Sequence, residues 1–247
     1  MTTRIVFAFF LTTILACNDN QPYQLDPLRI TSLQSAEDKV ARTFKYKAKR
    51  LYTFSSTGGV VTSSKFYYNE SSRVSKIISD STATSYKSTS VLYNDSSLPT
   101  VDSTWTVTGK QRTLSSAHVF SFDGNQLQKI ATHNFGTTVS TTETEFVWAG
   151  GNIAEVAEYA VVGTQRTLTQ RTVLKYDKKK SFYPPDLAFF YTWPKGEWYQ
   201  FSGANPTSII VEGQKERTCT YEYNKFGYPA ICTTEKKAKY IATYTGL

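Results

Sequence analysis

Residues 66–77, Phe-Tyr-Tyr-Asn-Glu-Ser-Ser-Arg-Val-Ser-Lys-Ile, decide the fold. Three aromatic residues lead into a polar turn, and a second short run rich in β-branched residues follows it. The same order returns in residues 120–130, Phe-Ser-Phe-Asp-Gly-Asn-Gln-Leu-Gln-Lys-Ile. Asn, Asp and Gly accept the positive φ angles of tight turns, and aromatic residues pair well across strands. Each stretch therefore predicts an antiparallel β-hairpin.

The hairpin pattern recurs along the chain at a nearly constant step. The aromatic residue before each turn stands at positions 68, 93, 122, 148 and 176, in steps of 25, 29, 26 and 28 residues, and a last copy has Tyr223 in this place. Steps that regular require a repeated structural unit. Ser, Thr, Tyr, Phe and Val dominate from about residue 44 onward, as is typical of strands. The count of hairpins predicts about a dozen strands in an all-β fold.

The repeats resemble the YD repeats of Rhs-type cell-surface proteins, most clearly at Tyr176-Asp177 and Phe122-Asp123-Gly124. The whole pattern, including residues 205–209 and 223–229, is also similar to uncharacterised β-rich lipoproteins of the Bacteroidota. The resemblance covers roughly residues 44–245. It implies a continuous antiparallel β-meander of repeated hairpins that forms a large twisted sheet or an open barrel, and it implies no catalytic class.

Residues 1–16 have the order of a signal peptide. Arg4 supplies a positive charge, and the apolar run that follows it is too short to span a bilayer as a helix. Residues 14–17, Ile-Leu-Ala-Cys, resemble the lipobox at which lipoprotein signal peptidase cleaves after the thiol is diacylglycerated. The sequence thus predicts Cys17 as the lipid-modified first residue of the mature protein, anchored by its acyl chains. The alternative is an ordinary secretory signal with a chance cysteine.

The mature chain divides into a tether and one domain. Residues 17–27 comprise the lipidated cysteine and a polar segment with two prolines, which predicts a flexible link. Residues 28–247 are within the usual size of a single β-rich domain, and we expect one β-meander domain there. An aromatic-rich insertion interrupts the repeats near residues 182–201.

Four aromatic residues of this insertion are candidates for ligand or partner binding: Tyr191, Trp193, Trp198 and Tyr199. Tyr and Trp bury a large area at low entropic cost and keep a polar group, so recognition surfaces favour them. The alternative is that these rings cap one end of the sheet or plug a barrel.

The mature chain is basic, with 27 Lys and Arg against 20 Asp and Glu, a formal charge of +7. Such a charge attracts an anionic partner such as lipopolysaccharide, phospholipid head groups or an acidic polymer. The alternative is that Lys and Arg are spread over exposed strands, where they hinder edge-to-edge aggregation. The basic clusters are short and separated, which favours this second interpretation. We expect no nucleic-acid partner for an exported chain.

Cys219 and Cys232 frame the last predicted hairpin, whose turn is residues 224–227. A symmetric register places the two cysteines directly opposite each other, at a distance suited to a disulfide bond. An exported, oxidising location favours that bond. Two buried free thiols are the alternative. No histidine is nearby in sequence, so we predict no metal site here.

The two histidines, His118 and His133, lie on the arms of the hairpin whose turn is residues 123–126. In a symmetric register they are diagonal neighbours on one face, which is compatible with a weak metal site or a pH-sensitive pair. Two exposed histidines without a third ligand are the simpler interpretation. The sequence has no Gly-x-Ser-x-Gly elbow and no phosphate-binding glycine loop. We therefore predict no catalytic residues and no cofactor, although a carboxylate pair of the glycosidase kind needs no local motif.

These observations predict a binding or structural lipoprotein anchored in the outer membrane and facing the periplasm or the cell surface. An accessory subunit of an envelope complex is one form of this function. Its partners would be the membrane, through the lipid, and an outer-membrane protein. The alternative is a carbohydrate-binding surface lipoprotein whose aromatic platform stacks on sugar rings.

Overall fold

A computed structural model describes residues 28–58, 62–182, 187–192 and 198–246. The predicted signal peptide, Cys17, the tether and Trp193 lie outside the described residues. Within them the chain forms sixteen strands, one short α-helix and one 3₁₀ helix. The elements are β1 (Leu28–Ser35), β2 (Val40–Lys47), β3 (Arg50–Thr57), β4 (Thr62–Tyr68), β5 (Val74–Ser79), β6 (Ser85–Tyr93), β7 (Pro99–Thr108), β8 (Gln111–Asp123), β9 (Gln126–Phe135), β10 (Val139–Ala149), β11 (Asn152–Val162), β12 (Gln165–Tyr176), α1 (Leu187–Phe190), the 3₁₀ helix (Trp198–Phe201), β13 (Pro206–Val211), β14 (Arg217–Tyr223), β15 (Pro229–Thr234) and β16 (Lys239–Gly246).

The strands form one antiparallel meander that closes into a barrel. Each strand pairs with its neighbours in sequence, and β1 pairs with β16. The predicted all-β meander of repeated hairpins is confirmed, and its sheet is closed rather than open. The prediction of about a dozen strands was too low, because the repeat count begins at Tyr68 in β4 and stops at the hairpin of β14 and β15. It misses the first three strands and the last.

Hydrogen bonds from aromatic side chains link successive hairpins of the repeat. In the β4–β5 hairpin, Tyr68 pairs with Val74, and a β-bulge then leaves the next residue of β5 unpaired. The Val74 carbonyl, just before the bulge, accepts a hydrogen bond from the Tyr93 hydroxyl of the following hairpin, at 2.7 Å. The same bond joins Tyr68 to Leu51 at 2.7 Å, Tyr46 to Ile30 at 2.8 Å, Trp148 to Leu127 at 2.7 Å, Tyr221 to Pro206 at 2.8 Å and Tyr244 to Pro229 at 2.8 Å. In these six places an aromatic donor satisfies a carbonyl at a bulge, which lacks its ladder partner. Phe122 stands in the equivalent place on β8 and has no donor to give.

The inner face of the barrel is apolar over much of its length. The outer face carries polar and charged side chains together with exposed apolar ones, among them Leu92, Val119, Val147 and Val173. Phe120 pairs with Ile130 across β8 and β9 on the inner face, whereas the next pair, Ser121 and Lys129, points outward. The inner side chains form two buried clusters. Their members include Phe44, Phe54, Phe66, Ile77, Phe120, Ile130, Phe146 and Ile153. Strand alternation therefore directs the buried apolar side chains of the two clusters into the barrel.

Candidate functional site in the barrel interior

The described residues of the insertion between β12 and β13 lie inside the barrel. The Phe190 ring meets the ring of His118 edge-on at 5.7 Å and that of Phe120 at 5.7 Å, and the Trp198 ring contacts Phe146 at 5.4 Å. His118, Phe120 and Phe146 belong to the inner face, so these contacts place the insertion within the barrel. We refer to its described residues, 187–192 and 198–202, as the plug.

Polar contacts hold the base of the plug to the end of the barrel where the β10–β11 turn lies. The Ser202 hydroxyl accepts a hydrogen bond from the Ile153 amide at 3.0 Å and donates to the Tyr176 oxygen at 2.9 Å. The side-chain amide of Asn205 donates to the Lys180 carbonyl at 2.7 Å. Both Ser202 and Asn205 are fully buried. Burial raises the pKa of Tyr176 to about 12, so this phenol is neutral at physiological pH.

Asp102 binds the tip of the plug. It lies on β7 opposite His118 of β8, and its side chain is 0% exposed. One carboxylate oxygen contacts His118 Nδ1 at 2.8 Å, and the other accepts a hydrogen bond from the Tyr191 hydroxyl at 2.7 Å. Burial, reinforced by the Asp102 charge, holds the pKa of Tyr191 well above its ordinary value. Tyr191 is therefore a stable donor, and the buried carboxylate has the partners that such a group requires.

A second inner carboxylate binds the other arm of the plug. Glu158 of β11 accepts a hydrogen bond from Trp198 Nε1 at 3.0 Å. Glu158 lies opposite Thr144 on the inner face, next to the buried pair of Phe146 and Val156. Tyr191 and Trp198 of the plug are thus each matched to an acid on the wall.

The structure describes three of the four aromatic residues that the sequence offered as binding candidates. Tyr191 and Trp198 donate hydrogen bonds inside the barrel, and Tyr199 packs against the second apolar cluster. Trp193 lies outside the described residues. Sequence reasoning missed Asp102, which has no motif around it. Alternation along β7 points the wrong way, because Val101, Trp105 and Val107 are the apolar residues of the strand and would place Asp102 on the outer face.

The predicted proximity of the two histidines is wrong. His118 pairs with Thr132 and His133 with Ala117, so His118 points into the barrel and His133 points outward. A β-bulge after Ser121 shifts the register by one residue, and such a shift turns the side chains to the other face. Nowhere in the described ranges do three or more His, Cys, Asp or Glu side chains gather as a metal ion would require.

The predicted register of the cysteine hairpin is also wrong, although both cysteines share the inner face. Cys219 lies opposite Thr234, two residues beyond Cys232. Tyr223 pairs with Pro229, so the turn has five residues instead of four, and a β-bulge adds another unpaired residue. Both thiols are free in the structure. A hydrogen bond between them lowers the pKa of Cys219 and, together with burial, raises that of Cys232. The disulfide between them stays a prediction.

Beyond the plug, the inner face becomes polar and open to solvent. Ser116 and Asn134 pair across β8 and β9, and Thr142 of β10 lies opposite Thr132, two residues before Asn134 on β9. Ser116 and Asn134 are half-buried, and Thr142 is exposed. The barrel therefore has an apolar, plugged end and, opposite it, a polar mouth. The β8 to β10 part of this mouth is uncharged, whereas Lys87 of β6 faces inward opposite Thr106.

Comparison with known proteins adds evidence on the fold. No family model and no curated protein matches the chain. Among solved structures, the barrel resembles a porin-like protein from Bacteroides uniformis, with 13% identity and a TM-score of 0.52 over 89% of this chain and 95% of the other. It also resembles a porin-like protein from Bacteroides vulgatus, with 10% identity and a TM-score of 0.59 over 89% of this chain and 100% of the other. Among the described residues, no helix is long and apolar enough to cross a membrane.

Proposed function

We propose that the chain is a lipid-anchored binding protein of the bacterial outer membrane, whose plugged barrel stands in water beside the membrane. It acts by contact with a partner and does not conduct solutes. The lipobox ending at Cys17 supports the anchor, and the similarity to porin-like barrels supports the outer membrane as its location. The observation that carries the proposal is the distribution of charge and apolar surface across the barrel wall.

The outer face carries charged side chains at mid-strand. Glu143 of β10 forms ion pairs with Lys129 of β9 at 3.2 Å and with Arg166 of β12 at 2.7 Å. Arg171 forms an ion pair with Glu155 at 3.0 Å. A membrane-spanning barrel presents an apolar band to lipid, and an Arg or Lys in the middle of that band costs about 2–4 kcal/mol. Water is therefore the better solvent for this surface.

The inner face supports the same conclusion. The interior of a transmembrane pore is polar and filled with water. In this barrel Ile130 and Ile153 are 0% exposed, and Phe190 and Trp198 of the plug cover their clusters. The apolar surface that holds the fold together thus faces inward, as in a water-soluble protein.

Contact with a partner has more support than stacking on a sugar platform. Such a platform needs exposed rings, whereas Tyr191 and Trp198 pack in the interior and use their polar atoms on Asp102 and Glu158. The surfaces left for a partner are the polar mouth and the outer faces of the strands.

Metabolic labelling with palmitate tests the anchor. The wild-type chain, exported in a bacterial host, is expected to take up label and to sediment with outer membranes. The variant Cys17→Ser is expected to lose all of the label, because the acylated thiol is absent. Cys219→Ser is the matched control and should stay labelled. Label in the Cys17→Ser variant, or none in the wild type, would contradict the anchoring.

A further inference from the structure

The positive charge of the mature chain is concentrated in its first six strands. Residues 28–93 contain eleven Lys and Arg against four Asp and Glu, a net charge of +7, whereas the rest of the mature chain has sixteen of each. None of the strands β1 to β6 contains a carboxylate. The four acids of this stretch all lie in turns: Glu37, Asp38, Glu70 and Asp80. One side of the barrel therefore carries the whole charge.

Lysines of β2, β4 and β5 meet on the outer face. Lys45 of β2 and Lys65 of β4 both pair with Thr53 of β3, and on the next strands Tyr67 pairs with Lys76. Each of these side chains points outward, since the alternate positions are the buried Phe44, Phe54, Phe66 and Ile77. We refer to Lys45, Lys47, Tyr52, Lys65, Tyr67 and Lys76 as the basic face.

Two tyrosines flank the central lysine of the basic face. Lys65 Nζ lies 5.3 Å from the centre of the Tyr52 ring and 5.2 Å from that of Tyr67, and Lys47 Nζ lies 5.8 Å from the Tyr52 ring. These contacts hold the lysines on the surface without cancelling their charge. Lys45 and Lys65 line a shallow depression between β2 and β5. At membrane surfaces, lysines are attracted to anionic lipid head groups, and tyrosines are enriched at the interface between lipid and water.

The opposite wall has a different electrostatic character. On β9 to β12 the outward cations Lys129, Arg166 and Arg171 are paired with Glu143, Glu145 and Glu155. Among the ion pairs of the described residues, none involves a lysine of the basic face. The positive potential is thus concentrated on one side of the barrel. The barrel would therefore contact an anionic surface through β2 to β5.

The basic face lies at the end of the barrel where the chain enters it. Strand β1 begins at Leu28, beside the end of β2 at Lys47, because Ser35 and Val40 pair at the other end of the two strands. Ten residues separate Cys17 from Leu28, and a segment of that length spans at most about 35 Å. The membrane that holds an acylated Cys17 is therefore within reach of the basic face.

We propose that the basic face rests on anionic phospholipid head groups of the membrane that holds the lipid anchor. Lys45, Lys65 and Lys76 bind head-group phosphates, and Tyr52 and Tyr67 lie at the interface. This inference rests on the proposed anchoring at Cys17. It gives the barrel one orientation on the membrane, with the ion-paired wall of β9 to β12 turned toward water.

Vesicle binding by the unacylated chain separates this surface from the anchor. Residues 18–247 contain every described element, including the β1–β16 pair that closes the barrel. They are expected to co-sediment with phosphatidylcholine vesicles that contain phosphatidylglycerol, but not with phosphatidylcholine alone. The triple variant Lys45→Gln, Lys65→Gln, Lys76→Gln should bind roughly 100-fold more weakly. Binding of the unchanged chain should also weaken with added salt.

The matched control removes three exposed lysines elsewhere, as Lys110→Gln, Lys175→Gln, Lys236→Gln, with the same change in net charge. It is expected to bind nearly as well as the unchanged chain. Equal weakening by the two triple variants would overturn the proposal, as would equal binding to neutral vesicles. If residues 18–247 fail to bind the vesicles while the full-length chain still takes up palmitate at Cys17, only this surface is overturned. Vesicle binding without any palmitate label overturns only the anchor.

Discussion

Replacing Asp102 by alanine is expected to lower the free energy of unfolding by about 3 kcal/mol, the usual cost of breaking a buried charged contact by removing one partner. The Tyr191 hydroxyl and His118 Nδ1 both lose their bond to the carboxylate inside the barrel. Each is then desolvated without its partner, at about 1–3 kcal/mol per group. Urea unfolding of residues 18–247, followed by tryptophan fluorescence, measures the change.

Two further variants make the Asp102 result specific. Asp102→Asn keeps the size of the side chain and one oxygen acceptor, so a loss of about half that of the alanine variant is expected. Asp95 is exposed in the β6–β7 turn, and Asp95→Ala should change stability by no more than about 0.5 kcal/mol. An Asp102→Ala variant as stable as Asp95→Ala would show that the carboxylate does not hold the plug.

A lysine at position 130 is expected to unfold the barrel, whereas a lysine at the next position is expected to be tolerated. Ile130 is 0% exposed on the inner face, opposite Phe120. Ile130→Lys removes its packing and buries an unpaired charge, so we expect a loss of more than about 4 kcal/mol. Ala131 points outward beside Glu143, and Ala131→Lys should change stability by about 0.5 kcal/mol or less.

This pair of variants distinguishes a barrel with an apolar interior from a membrane-spanning barrel with an apolar outer face. In a membrane-spanning barrel with a watery lumen, the inward lysine would be accepted and the outward one would cost about 2–4 kcal/mol in lipid. Thermal unfolding of both variants, measured by circular dichroism, gives the comparison. A folded Ile130→Lys variant together with a destabilised Ala131→Lys variant would reverse the assignment of the inner and outer faces.

The repeated hairpins could be predicted because their signals are local. The aromatic residue, the polar turn and the β-branched run lie within a dozen residues of one another, as in residues 66–77. Closure of the barrel could not be predicted, because β1 and β16 pair across more than 200 residues and neither strand carries a signal for the other. The twist and number of strands decide closure, and no short motif encodes either.

The register of the hairpins could not be predicted from the sequence, for a different reason. Each symmetric register assumed an unbroken ladder, but a β-bulge follows the aromatic residue in most hairpins. One unpaired residue was enough to put His118 and His133 on opposite faces, and a longer turn displaced Cys219 from Cys232. The hydrogen bonds that stabilise the bulges join separate hairpins, so no single repeat reveals them.

The aromatic insertion was visible in the sequence as a break in the repeat, but its place in the fold was not. Dense rings are typical both of recognition surfaces and of apolar cores. The partners that decide between the two, Asp102 and Glu158, lie 89 and 40 residues from Tyr191 and Trp198. Only the closed barrel brings them together.

The most direct test of a barrel that stands in water is its behaviour without detergent. Residues 18–247, exported behind a leader that carries no lipidation cysteine, would be purified in plain buffer and examined by analytical ultracentrifugation and circular dichroism. We predict a soluble monomer with a β-sheet spectrum and a cooperative thermal transition. Recovery of folded protein only from membranes or in detergent would contradict the account, because it would show that the outer face of the barrel needs lipid.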